Sequence, residues 1–122
     1  MRASGFTDQG SVPLDRLIAG EFPRIEEKVA VVKGAALKRG SLLGRVTATG
    51  AYTLSEAEGD DGSEDPVAIL AQDITAEDEE ALVYRTGEFN EAAVIYGDGH
   101  EADSVRDELA AMQIWLRRTV PA

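Results

Sequence analysis

Cysteine is absent from the 122 residues, and histidine occurs once, as His100. The first absence excludes disulfides, thiolate metal sites and cysteine nucleophile chemistry. It is also compatible with a reducing compartment. Positive charge is scarce: 12 Lys and Arg stand against 23 Asp and Glu, for a formal net charge of -11. Nucleic-acid binding needs a cationic footprint to replace phosphate counterions, so direct packing against DNA is not expected. Anionic membrane surfaces are disfavoured for the same reason. The longest charge runs, Glu58 to Asp65 and Glu77 to Glu80, are acidic. No apolar run approaches the length of a membrane span. The first residues lack the apolar stretch of a signal peptide. The expectation is a soluble protein of the cytoplasm in which it is made. The length suits one domain with a real core.

What is present falls into two textures. Residues 1–27 are mostly polar, with scattered apolar residues: Phe6, Val12, Leu14, Leu17, Ile18, Phe22 and Ile25. Leu14, Leu17 and Ile18 have i, i+3, i+4 spacing between Pro13 and Gly20, which predicts a turn or two of helix. Such a helix is too short to hold in water without something to dock on. From Lys28 the chain reads as short strands. Val29–Lys33 is β-branched, Leu42–Thr47 follows a Lys-Arg-Gly-Ser turn signal, and Tyr52–Leu54 follows a hairpin signal at Gly50. Pro66–Ala71 is a continuous apolar run, as in a strand buried on both faces, and Glu80–Asn90 alternates with a bend at Gly87. Glu101–Met112 is the best helix: Val105, Leu109 and Met112 share a face, and acids sit in its first turn. Gln113–Val120 closes the chain as a strand. The pattern predicts a mostly β body of five or six short strands, with one short helix in the C-terminal half and an extended N-terminal arm. The expected division is residues 1–27 as arm and 28–122 as β-rich domain.

Catalytic patterns are thin. His100 is the one candidate general base, with Asp98 or Asp103 to orient it. A polar residue in the loop before a helix is the plainer reading, because a triad also needs a nucleophile and no Gly-x-Ser-x-Gly elbow is present. The acidic loop Glu58–Asp65 invites a calcium reading, but its spacing does not match an EF-hand. A solvated loop fits better. Gly34, Gly40 and Gly44 punctuate strands and lack Walker or dinucleotide spacing. Trp115 and Tyr84 sit in apolar strand contexts and are expected in the core. Arg117 and Arg118 form a small basic patch or pair with surface acids.

One ordered series stands out. Leu37-Lys38-Arg39-Gly40-Ser41-Leu42-Leu43-Gly44 leads to Val46-Thr47 and Gly50-Ala51-Tyr52. Asp61-Gly62-Ser63 leads into Pro66-Val67-Ala68-Ile69-Leu70-Ala71-Gln72-Asp73-Ile74. Val83-Tyr84-Arg85-Thr86-Gly87-Glu88-Phe89-Asn90 follows, and then the helix into Gln113-Ile114-Trp115-Leu116. From about Val32 to the C-terminus, this order and spacing resemble the lambda-type bacteriophage head decoration protein family. The resemblance implies a small β-clip-like, incomplete-barrel fold, a homotrimer, and no catalytic residues, cofactor or metal. It implies a place at three-fold positions on the outer face of the expanded head, reached from the host cytoplasm during assembly. The partners it implies are the major capsid protein and further copies of this chain, with no direct nucleic acid and no membrane. In such proteins the N-terminal arm contacts the shell, commonly by adding a strand to it. The arm here is longer than a minimal one, and the segments 55–65 and 77–80 are unusually acidic, which points to an especially anionic exterior. Two other readings are a tail or baseplate module with a similar body, and a small β-domain enzyme or metal-binding module using His100.

Overall fold

Short apolar runs, most of them cut off by glycine or an acidic turn, make short strands. The computed structural model describes residues 16–118. Among these it contains seven strands and one helix: β1 (Glu26–Ala30), β2 (Leu42–Arg45), β3 (Tyr52–Leu54), β4 (Pro66–Leu70), β5 (Glu80–Tyr84), β6 (Gly87–Asn90), α1 (Ala102–Ala110) and β7 (Ile114–Arg117). Five strands form one antiparallel sheet in the order β1-β5-β4-β2-β3, and β6 and β7 pair in parallel as a second. The large sheet curls until its two edges touch at a single bridge between Val31 and Tyr52, where the Val32 amide donates to the Tyr52 carbonyl at 2.9 Å. The ladder does not continue from there, so the barrel stays open.

Successive side chains of a strand point to opposite faces, and here both faces of the central strands are covered. Leu43, Leu70 and Val83 join Val31, Tyr52 and Ile74 in a core enclosed by the curl. Their neighbours Leu42, Ile69 and Tyr84 face outward into a second core with Phe89, Leu109 and Ile114. Burial on both sides is why Pro66–Leu70 is apolar without alternation. Helix α1 closes the second core with Val105 and Leu109, two of the three residues its spacing predicts, and the third, Met112, packs half-buried against that core beyond the helix end. Its N-terminal turn is tied by the Glu101 amide donating to the Ser104 hydroxyl at 3.0 Å.

Several boundaries differ from the expectations. The strand expected at 29–33 lies at Glu26–Ala30, because pairing with β5 recruits charged residues whose side chains stay in solvent. The run 80–90 is two strands in different sheets, divided at Arg85-Thr86, so Tyr84 and Phe89 meet across the turn with ring centroids 5.4 Å apart. The helix is shorter than 101–112, and the described part of the closing strand is Ile114–Arg117. The helix expected over Leu14–Ile18 does not appear in its described part, where Ile18 forms a bridge with Phe89. An extended backbone there meets a strand that lacks a partner on that side.

Candidate functional site

Residues 16–25 run across the small sheet rather than away from it. The Asn90 amide donates to the Leu17 carbonyl at 2.7 Å, and the Ala19 amide donates to the Glu88 carbonyl at 3.0 Å. Leu17–Ala19 thereby adds a third, antiparallel stretch to the free side of β6. The chain then turns. The Phe22 amide donates to Glu88 Oε1 at 2.8 Å, and Arg117 Nε donates to Glu88 Oε2 at 2.8 Å. The Phe22 amide, and after it Arg117, hold the Glu88 carboxyl below the usual carboxylate range. The Phe22 ring meets Trp115 edge-on, with centroids 6.2 Å apart, and the Arg117 guanidinium lies 5.8 Å from the Trp115 ring centre. The Thr86 hydroxyl finishes the docking. It donates to the Pro23 carbonyl at 2.7 Å and accepts from the Ile25 amide at 3.1 Å.

Of the residues expected to anchor an arm, Phe6, Val12 and Leu14 lie outside the described residues. Leu17 is buried in the second core, Ile18 and Phe22 are half-buried against it and Trp115, and Ile25 is 57% exposed. The division expected at residue 27 falls within β1. Nothing local in the sequence marks Glu88 or Thr86 as partners of this segment. The available signal was an acid between Gly87 and Phe89, in a strand otherwise destined for the core.

The remaining candidates have structural partners. His100 Nε2 lies 3.0 Å from the Ser55 hydroxyl and 3.1 Å from the Glu64 carbonyl. Asp103 turns away to Arg106, at 2.8 Å. The Ser55 hydroxyl belongs to a fully buried residue, so no substrate carbonyl reaches it. The ring pins the loop after β3, the 56–65 loop and the approach to α1 together. Replacing His100 by alanine strands a buried hydroxyl and a carbonyl, and is expected to cost about 1–3 kcal/mol of stability. Urea unfolding of the variant checks this. An unchanged midpoint would remove the pinning role.

In the acidic loop, Asp61 accepts from the Ser63 amide at 3.0 Å and from its hydroxyl at 2.6 Å, and Glu64 accepts from the Gly62 amide at 2.8 Å. The Ser63 hydroxyl, then its amide, hold the Asp61 carboxyl below its ordinary range. These acids are spent on the loop's own turns. Among the described residues, no group of three or more His, Cys, Asp or Glu is placed to hold a metal ion. Tyr84 is in the core, whereas Trp115 is only half-buried. Arg117 pairs with Glu88, and Arg118 lies near Glu91 and Asp103 at 3.8 and 3.7 Å.

The family model described as bacteriophage lambda head decoration protein D matches residues 8–114. No curated protein matches the chain.

Proposed function

The chain belongs to the bacteriophage lambda head decoration protein D family and is a structural protein associated with the phage capsid, and from that premise we propose that it binds as a homotrimer to the outer surface of the expanded head. The trimer sits at three-fold positions and braces the shell against internal DNA pressure. The partner is the major capsid protein. The observation that carries this reading is the extent of the family match, which takes in the N-terminal segment from residue 8 and the whole body as far as the first residue of β7.

Residues 1–27 serve as the capsid-binding arm and 28–122 as the body that trimerises. Within the arm, Phe6, Val12, Leu14 and Ile25 are the contacts offered to the shell, by strand addition with apolar side chains seated in pockets. Leu17, Ile18 and Phe22 are its root on the body. A trimer carries three such arms, so modest contacts per arm multiply through avidity. The high acidic charge suits the outward face of the particle, where it keeps a high-copy protein soluble.

Replacing Phe6, Val12 and Leu14 together by alanine is expected to weaken binding to expanded heads by at least about a hundredfold, since each loses buried apolar area. The mass in solution should remain that of a trimer. Cosedimentation with purified heads and analytical ultracentrifugation measure the two. Wild-type binding by the triple variant would overturn the arm assignment, and a monomeric wild-type chain would overturn the trimer.

A further inference from the structure

We propose that Glu88 is a positioning residue for capsid binding: its carboxylate fastens the turn at Gly20–Phe22 to β6 and β7, and so sets the point and direction from which the arm starts. The proposal rests on the arm reading above.

Glu88 lies in the middle of a short strand between Gly87 and Phe89, with a side chain only 19% exposed. An acid so placed needs partners, and both oxygens have one. Oε1 takes the Phe22 amide and Oε2 takes Arg117 Nε, each at 2.8 Å. The same residue's carbonyl takes the Ala19 amide at 3.0 Å. Residue 88 therefore grips both ends of the stretch Ala19–Phe22, with its backbone at one end and its side chain at the other.

Gly20 lies inside that grip. A Cβ there would stand 2.5 Å from Glu88 Oε1 and 2.7 Å from its Cδ. The turn is thus wrapped on the carboxylate, and a side chain at residue 20 could enter only by pushing that carboxylate out of its place. Arg117 is itself held, between the carboxylate and the Trp115 ring that Phe22 also touches. Gly20, Phe22, Glu88, Trp115 and Arg117 form one interlocked unit at the root of the arm.

The chemistry requires a carboxylate. The groups facing Glu88 are donors: the Phe22 amide and the Arg117 guanidinium, with the Glu21 amide beside them. Glutamine has the same shape but presents one oxygen and one NH2, so one of these donors loses its acceptor. With the grip released, the bonds of Leu17 and Ala19 to β6 lose the turn that backs them, and the stretch from which the arm leaves shifts its path in a fraction of the molecules. Only a fraction of molecules then present the arm correctly, and the apparent dissociation constant rises by the inverse of that fraction.

The test uses the full-length chain as wild type, Glu88→Gln, Gly20→Ala and the Phe6/Val12/Leu14 alanine variant. Affinity for expanded heads, amide hydrogen exchange at Phe22 and the thermal midpoint are measured on each. Glu88→Gln and Gly20→Ala should each weaken binding on the order of tenfold and speed exchange at Phe22. The thermal midpoint should stay within a few degrees. Gly20→Ala displaces the carboxylate without removing its charge, so agreement between the two variants separates loss of grip from loss of charge or failure to fold. If both bind as wild type while the alanine variant fails, the positioning role is wrong and the arm reading survives. If the alanine variant also binds as wild type, both fall. A loss of binding that merely tracks the unfolded fraction overturns the positioning role as well.

Discussion

Replacing Gly44 by alanine is expected to lower stability by about 3 kcal/mol or more, the upper end of what overpacking a core costs. Gly44 sits inside β2, opposite Thr53 on β3 and Pro66 on β4, at the point where the register with β4 shifts. A Cβ there would overlap the Ser63 carbonyl oxygen and come within 2.5 Å of its carbon and 2.7 Å of its Cα. All three atoms are backbone, so no rotamer change relieves the contact. Ser63 cannot easily retreat, because Asp61 holds its amide and hydroxyl, and the next residue's carbonyl is held by His100. Either the loop tears free of those bonds or β2 leaves its place between β3 and β4. A domain of this size has a total stability of about 5–15 kcal/mol, so much of the chain should be unfolded under mild denaturant. Circular dichroism during urea unfolding reads this directly. A wild-type midpoint would mean that β2 and the 61–65 loop do not approach as closely as described.

Truncating Phe89 to alanine should cost about 3–5 kcal/mol, as for other fully buried aromatic side chains. The expected fall in thermal midpoint is on the order of 15 °C. Phe89 is 0% exposed and stands where three parts of the molecule meet. It bridges to Ile18 on one side, pairs with Leu116 of β7 on the other, and contacts Tyr84 of the large sheet through its ring. The void left by its removal opens toward all three, and none can fill it without giving up its own pairing. A loss below about 1 kcal/mol would show that the second core collapses around the gap and that Phe89 does not organise it.

These two positions also show where the sequence was readable. The glycine-punctuated order around Gly44 was legible as a series and carried the resemblance to the head decoration family, to which the chain belongs. The helix face of Val105 and Leu109 was legible because helical periodicity is a local property of a few turns. So was the buried strand Pro66–Leu70, whose continuous apolar run reflects cores on both of its faces. The division of 80–90 into two strands was not. A change of sheet leaves alternation nearly intact, and whether the chain bends at Arg85-Thr86 depends on what Tyr84 and Phe89 can pack against. The position of β1 was missed for a related reason. Glu26, Glu27 and Lys28 have poor strand propensity, but β5 offers an unpaired edge, and backbone hydrogen bonds do not depend on the side chain.

The root of the N-terminal segment lay beyond any local reading. Phe22 and Glu88 are 66 residues apart, and Ile25 and Thr86 are 61 apart. Composition and order by themselves determined the absence of thiol chemistry, the acidic surface, strands too short to stand alone, one amphipathic helix and the family. Each of these depends on residue type or on spacing within a few residues. Only the tertiary structure decided that Leu17 is core, that His100 is a pin between loops, and that Glu88 holds the turn from Gly20 to Phe22. The partner of a charge or a strand edge is set by distance in space, and that distance exists only once the sheets have curled and packed.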